Sequence, residues 1–108
     1  MPILNYNTLP KKEIWPGIKA AFGHSDNITF ALVSIEKGSL VAEHSHPHEQ
    51  WTFILEGDFE FTINGTTQLL KQDMAAHIPS NAPHSARALT PVKAIDCFTP
   101  CREDFRKL

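Results

Sequence analysis

The sequence predicts an all-β domain of the barrel or sandwich class, and three observations support this prediction. Short runs rich in β-branched and aromatic residues recur along the chain, turn signals separate them, and helical periodicity is scarce. The predicted strands are 28–35, 51–55, 59–63, 66–70 and 92–98. Helical periodicity is confined to residues 15–22 and the last few residues of the chain.

The strand-like runs and the turns between them carry further structural signals. Residues 28–35 carry apolar side chains in both alternating sets, which is typical of a strand covered on both sides. Residues 59–63 alternate between apolar and polar side chains, and Asn64-Gly65 after them is the strongest short hairpin signal. A loop from Pro79 to Pro83 precedes His84, which we expect at a loop-to-strand junction.

Length and composition favour one ordinary globular domain. The 108 residues are 42% apolar and 20% charged, which suits a single domain over 1–108. Within it we expect a lead segment 1–27, a barrel core 28–99 and a C-terminal tail 100–108. A net charge of -2 gives no footprint for nucleic acid, and no apolar run approaches the roughly 20 residues of a membrane helix. The start lacks the layout of a secretory signal, and the two cysteines suit the reducing cytoplasm.

Four of the six histidines are grouped by position. His44, His46, His48 and Gln50 share parity along a β-rich stretch, so they could point into one cavity. Imidazoles suit first-row divalent metals, and His84 can complete the shell from a distant segment. A surface histidine without metal is the simpler interpretation for any one of them. His48 is open between a role beside the metal or substrate and simple exposure, and His24 and His77 belong to no pattern.

The spacing of these residues resembles the two motifs of the cupin superfamily. The first motif is matched at every position, with a glutamine where the acidic ligand stands: Gly38, His44, His46, Gln50 and Gly57. In the second motif Pro79, Asn81 and His84 keep the frame, while Asp73 replaces a glycine and Ala88 an asparagine. The resemblance implies a double-stranded β-helix, the jelly-roll barrel, with one divalent metal ion held by His44, His46, Gln50 and His84.

Gln50 in the acidic position has a chemical consequence. A neutral amide oxygen leaves the full charge of a divalent ion, which favours anionic substrates and Lewis-acid chemistry over oxygen chemistry. The alternative is that Gln50 lies near the metal without binding it. Nickel, zinc, iron, cobalt and manganese all suit such ligands, so the metal's identity stays open.

The chain also resembles the small KdgF-type cupins of pectin and alginate breakdown, most clearly in its ending, IDCFTPCREDF. These proteins convert unsaturated monouronates into open-chain keto sugar acids. The resemblance implies that Asp96, Phe98 and Arg102 line the substrate cavity. Asp96 would be the general acid/base, Arg102 would grip the sugar carboxylate and Phe98 would form an apolar wall.

From the residues alone, Asp96 and Phe98 share parity on the last strand, and a buried carboxylate needs a partner or a function. The alternative is that Asp96 lies at an exposed edge and Arg102 in a charged tail. For the whole protein, two other functions are open. One is a different metal cupin enzyme, such as a small dioxygenase or a lyase on an anionic metabolite, and the other is a sugar-binding cupin without catalysis.

The parity of the strand that contains Gln50 also predicts an assembly. If Gln50 points inward, then Trp51, Phe53 and Leu55 point outward, where three large apolar groups are unfavourable in water. We therefore expect them to pack against a second copy, giving a homodimer, or against the chain's own lead segment.

Overall fold

A computed structural model describes residues 3–108 and folds them into two antiparallel sheets and one short helix. The strands are β1 (Lys12–Trp15), β2 (Ile18–His24), β3 (Thr29–Ile35), β4 (Leu40–His44), β5 (Glu49–Glu56), β6 (Phe59–Ile63), β7 (Thr66–Leu70), β8 (Ala75–Ile78), β9 (His84–Ala88) and β10 (Val92–Thr99), and the helix is α1 (Glu103–Arg106). Met1 and Pro2, which open the expected lead segment, lie outside the described residues. No helix within residues 3–108 is long and apolar enough to cross a membrane.

The two sheets face each other as the halves of a jelly-roll barrel. One has the strand order β1-β2-β3-β10-β5-β8 and the other β4-β9-β6-β7. The buried apolar side chains fill the space between them, with contributions from Val33, Ile54, Ile78, Phe59, Phe61 and Ala86. The all-β fold and the predicted strands at β3, β5, β6, β7 and β10 are confirmed.

Residues with positive φ explain how the motif tolerates its departures. Asn64 and Gly65 form the predicted two-residue hairpin between β6 and β7, with φ of 50° and 81°. Asp73 and Asn81 stand where the second motif has glycines, and their φ values are 69° and 66°. Aspartate and asparagine are enriched in this left-handed region, so both turns keep the backbone that a glycine would adopt.

The lead segment differs from the prediction. The helical periodicity at 15–22 was misleading, because β2 lies there and pairs along its length with β3. Ile18, Ala20 and Ala21 are buried, so the barrel core begins at β2 and not at residue 28. Apolar or small residues occur on both faces of β2, and the two-residue alternation that marks a strand is therefore hidden.

The six-stranded sheet is covered fully on its inner side and only partly on its outer side. Thr29, Ala31, Val33 and Ile35 of β3 are buried, as expected for the inward set. In the outward set, Phe30 remains 42% exposed. The described chain itself therefore supplies only part of the predicted cover on the outer face of residues 28–35, where Tyr6 packs against Phe30.

Candidate metal centre and cavity

The fold brings three histidines together inside the barrel. His44 ends β4, His84 begins β9, and the two are partners in the pairing of these strands. His46 lies in the connection between β4 and β5. One ring nitrogen of each histidine lies within 4.8 Å of those of the other two. These are the three histidines that the motif spacing selects.

Hydrogen bonds to the backbone determine how the three rings are protonated. Each Nδ1 lies 2.8–3.0 Å from a carbonyl oxygen: His44 from that of Ala42, His46 from that of His48 and His84 from that of Ala82. A carbonyl only accepts, so each Nδ1 carries a proton and donates it. In a neutral imidazole Nε2 then carries a free lone pair, which is the arrangement of a metal-ligating histidine.

Gln50 supplies a fourth acceptor atom beside the histidine nitrogens. Its Oε1 lies 3.0 Å from Nε2 of His46, and its Nε2 donates to Oγ1 of Thr52 at 2.9 Å. The Thr52 hydroxyl in turn donates to Oδ1 of Asp96 at 2.7 Å. Gln50 and Thr52 are both buried, so this chain of hydrogen bonds is shielded from solvent.

These atoms fit a divalent metal ion. Three imidazole lone pairs and one amide oxygen converge without a hydrogen between them, and two acceptors 3.0 Å apart repel each other unless a cation lies between them. Nitrogen with oxygen is a donor set that first-row divalent metals accept. His44, His46, Gln50 and His84 would hold the ion.

Burial keeps the ligands in the form that binds metal. The pKa of His84 is lowered to about 4, mainly by burial, with smaller contributions in the same direction from His44 and His46 and an opposing hydrogen bond to Ala82. Burial also lowers the pKa of His46, with a smaller contribution from the positive charge of Arg102. Both rings are therefore neutral at physiological pH, as metal binding requires.

Asp96 lies next to this centre on β10, opposite Thr52 of β5. Burial raises the pKa of its carboxyl to about 6, although hydrogen bonds from Thr52 and Gln50 and the charge of Arg102 act in the other direction. The side chain lines the cavity and retains some exposure there. A carboxyl with this pKa exchanges protons readily near neutral pH.

Arg102 is buried and held from several sides. Its backbone N–H donates to Oγ1 of Thr29 at 2.7 Å, and its guanidinium carbon lies 3.8 Å from the ring centre of Phe105 and 4.8 Å from that of Phe98. Nε and Nη2 donate to the two carboxylate oxygens of Asp104 at 2.9 and 2.7 Å. Arg102 is thus part of a packed cluster and not of a free charged tail. Asp104 already pairs with one edge of its guanidinium group.

A cavity of about 280 Å³ joins the two groups of residues. Except for His46, its polar wall carries the polar residues that the sequence assigned to the metal and the substrate, together with two partners: His44, Gln50, His84, Thr52, Asp96, Arg102 and Asp104. The remainder of its lining is mostly apolar and includes Trp15, Phe59 and Phe98. The cavity can therefore hold a small ligand with one anionic or polar side and one apolar side.

Comparison with known proteins agrees with this geometry. A sequence model for the cupin domain matches residues 31–98, a range that contains all four candidate ligands and both Asp96 and Phe98. The chain belongs to the cupin family. No curated protein matches this cupin by sequence.

Three solved structures illustrate what this cupin is similar to. An RmlC-like cupin from Shewanella frigidimarina is 27% identical, with a TM-score of 0.88 over 92% of this chain and 90% of its own. KdgF from a Halomonas species is 26% identical, with a TM-score of 0.91 over 97% and 98% of the two chains. A salicylate 1,2-dioxygenase from Pseudoaminobacter salicylatoxidans is 20% identical, with a TM-score of 0.74 over 81% of this chain and 26% of its own, and shares the fold alone.

The other three histidines of this cupin lie outside the three-histidine cluster, each in a different environment. His48 is half-buried beside His46, with ring centres 5.6 Å apart, and its Nδ1 has no hydrogen-bond partner among residues 3–108. Nearby Arg102 adds to the effect of burial in lowering its pKa. His24 lies 2.8 Å from the hydroxyl of Thr29, and His77 forms an exposed pair with Glu49.

Four residues of this site were missed by sequence reasoning. Thr52 had a usable signal, because it shares strand parity with Gln50 and follows it by two residues. Asp104 and Phe105 enter only because the tail turns back over β10, and Trp15 enters because β1 pairs with β2. The chain pattern near these three gave no comparable indication.

Proposed function

We propose that this cupin is a metal-dependent enzyme that opens the ring of an unsaturated monouronate to give its open-chain keto form. The observation that carries the proposal is one cavity in which Asp96 and Arg102 face a cluster of metal-ligand atoms. The similarity to KdgF from Halomonas over nearly the whole of both chains supports it. The substrate would come from the breakdown of pectin or alginate.

The reaction needs only proton transfer and one bond cleavage. The anomeric hydroxyl loses its proton, the bond between the anomeric carbon and the ring oxygen breaks, and the anomeric carbon becomes an aldehyde. The electron pair remains with the ring oxygen as an enolate, which takes up a proton on carbon and becomes a ketone. No atom is gained or lost, so no oxidant or reductant is required.

Asp96 is suited to move the proton. With a pKa raised to about 6, its carboxyl can accept the hydroxyl proton and return a proton to carbon at neutral pH. Its hydrogen bond from Thr52 holds one oxygen at 2.7 Å, which leaves the other oxygen for the sugar. A bound divalent ion supplies positive charge that stabilises negative charge on a sugar oxygen, and the neutral Gln50 does not diminish that charge.

Arg102 is suited to bind the carboxylate of the sugar. Asp104 accepts from two of the five N–H donors of the guanidinium, so the others are available to an anion in the cavity. The rings of Phe98 and Phe105 lie against the guanidinium and restrict its movement. The apolar side of the cavity would face the ring carbons of the sugar.

The assay is the loss of absorbance from the conjugated double bond of an unsaturated monouronate. The metal content of the purified protein is measured in parallel, and we expect close to one ion per chain and activity that disappears on chelation. Oxygen consumption that depends on iron would favour a dioxygenase instead. Saturable binding of the sugar without turnover would favour a sugar-binding cupin.

We further propose that the protein works as a homodimer in the cytoplasm. Tyr6 of the lead segment packs edge-on against Phe30, yet Trp51 on the same outer face remains 52% exposed. Neighbouring Phe53 and Leu55 are also exposed, and a second copy that packs its own outer face there would shield all three. Both cysteines are free thiols, which suits a reducing compartment.

Sedimentation of the intact protein tests the assembly. We expect a dimer at micromolar concentration, and Trp51→Glu should convert it to a folded monomer because a charge would be buried at the centre of the interface. Glu43→Gln, at an exposed position of the other sheet, is the control and should leave the dimer intact. A wild-type monomer at high concentration would contradict the proposal.

A further inference from the structure

We infer that Thr52 is a positioning residue that sets the orientation of the Gln50 amide, so that its oxygen and not its nitrogen faces the metal site. This inference rests on the metal-dependent function proposed above. Thr52 is 2% exposed and follows Gln50 by two residues on β5, so both side chains point into the barrel. In the pairing of β5 with β10, Thr52 lies directly opposite Asp96.

The hydroxyl of Thr52 lies between the carboxylate of Asp96, which accepts hydrogen bonds, and the amide of Gln50, which can donate or accept. It has a single hydrogen, and the ionised carboxylate of Asp96 can only accept. The 2.7 Å contact to Oδ1 of Asp96 therefore uses that hydrogen. The hydroxyl of Thr52 can therefore only accept a hydrogen bond from Gln50. The amide satisfies this by turning its NH₂ group towards Thr52, at 2.9 Å.

The orientation of the amide matters because its two ends have opposite roles. With NH₂ towards Thr52, Oε1 lies 3.0 Å from Nε2 of His46 and adds a lone pair to the metal cluster. A reversed amide would place N–H groups against the histidine lone pairs and would exclude a cation. Gln50 can be a metal ligand only in the first orientation. Thr52 selects this orientation, and the carboxylate of Asp96, which also accepts from the Gln50 amide, favours the same one.

The same requirement would be absent with a carboxylate ligand, because both of its oxygens accept. This difference separates orientation from simple packing. If Thr52 acts by orienting an amide, then its hydroxyl should matter when residue 50 is glutamine and should matter little after Gln50→Glu. A packing role would persist in both backgrounds.

The test is a double-mutant cycle with metal affinity as the readout, using Zn²⁺ titrated against a competing chelator. Thr52→Val removes the hydroxyl and keeps the shape, and we expect a loss of about 10- to 100-fold in affinity, the usual effect of an outer partner of a ligand. Thr52→Ser should restore the affinity to within about threefold of wild type. Thr62→Val is the control and should leave the affinity unchanged, because the Thr62 hydroxyl lies on the four-stranded sheet, 2.8 Å from that of Thr67.

After Gln50→Glu, the further change Thr52→Val should alter the affinity by less than about threefold. An equal loss in both backgrounds, or no loss in either, would overturn the inference. If Thr52→Val does not fold by circular dichroism, Thr52→Ala is compared in the same two backgrounds. A wild-type protein that binds Zn²⁺ but lacks ring-opening activity would contradict the proposed reaction and leave the result of this cycle intact, whereas no Zn²⁺ binding would overturn both.

Discussion

The two ends of the cavity are held in different ways. At the histidine end, each imidazole donates to a carbonyl two residues away in the chain. At the C-terminal end, Asp96 accepts from a residue 44 positions away, and the N–H of Arg102 donates to Thr29, 73 positions away. The rings at the histidine end are thus oriented by local backbone contacts, although the pairing of β4 with β9 brings His44 and His84 together. At the C-terminal end, distant segments hold the Asp96 carboxylate and the Arg102 backbone.

This difference predicts separable functions. Substitutions at the histidine end should act on metal content, and substitutions at the C-terminal end should act on turnover and substrate affinity. Variants at the two ends therefore test whether metal binding and catalysis are separable.

The largest effect is expected for the metal. His46→Ala or His84→Ala removes one of three imidazole ligands, and the affinity for a divalent ion should fall by more than about 100-fold, beyond the loss typical of an outer partner. Metal analysis after dialysis checks this. His77→Ala is the matched control, because His77 pairs with Glu49 at the surface and should leave the metal in place. Full occupancy in His84→Ala would show that the ligand set is wrong.

The next effect is expected for turnover. Asp96→Asn cannot carry the proton, so kcat should fall by about 100-fold or more while the protein keeps its metal and its fold. The amide oxygen of asparagine can still accept from Thr52, which preserves the local contact. If Asp96→Asn instead loses its metal together with its activity, the histidine end and the C-terminal end of the cavity do not act separately.

The two ends should also respond to pH with opposite sign in the metal-free protein. His84 has a folded pKa of about 4, below its ordinary 6.5, so its contribution to stability is complete above pH 6.5 and is lost as pH falls through 4. Asp96 has a folded pKa of about 6, above its ordinary 3.8, so its contribution is complete below pH 3.8 and is lost as pH rises through 6. Between pH 4 and 6 these two trends oppose each other.

Single substitutions should expose each trend. We expect Asp96→Asn to show a free energy of unfolding that rises more steeply with pH than that of wild type, by up to about 1.4 kcal/mol per pH unit. His84→Gln should shift the slope in the opposite direction. Urea unfolding of the metal-free variants at pH 4, 5 and 6 measures both slopes, and identical slopes in all three proteins would show that neither group is buried as described.

The same contrast explains what could be predicted from the sequence. The candidate ligands His44, His46 and His84 could be predicted from the motif spacing, which also sets the distance to β9. The strand parity assumed for His44 and His46 was wrong, because β4 ends at His44 and His46 lies in the connection to β5. Asp104 was missed as the partner of Arg102 although it is only two residues away, because the charged segment offers several carboxylates and the first turn of α1 decides which one the guanidinium meets. The strand β2 was missed because its outward face carries Ala21 and Gly23, which hide the alternation.

Smaller effects are expected at Arg102. Arg102→Ala should raise KM by about 10- to 100-fold, since a hydrogen-bonded charge contact contributes roughly 1.5–3 kcal/mol. Some loss of kcat should follow, because a loosely held sugar meets Asp96 in fewer productive positions. Arg102→Lys should recover only part of the affinity, because a point charge cannot reproduce a two-pronged contact. Arg87→Ala, at an exposed pair with Glu60, is the control.

Asp104 tests how Arg102 is used. If Asp104 holds one edge of the guanidinium so that the other edge faces the sugar, then Asp104→Asn should raise KM by about threefold, within the modest range of a partly exposed ion pair, and leave kcat unchanged. If Asp104 instead competes with the sugar carboxylate for the same edge, KM should fall. Steady-state kinetics of the unsaturated monouronate decides between these outcomes. Glu103→Gln, one residue away and paired with Arg106, should leave KM unchanged in either case.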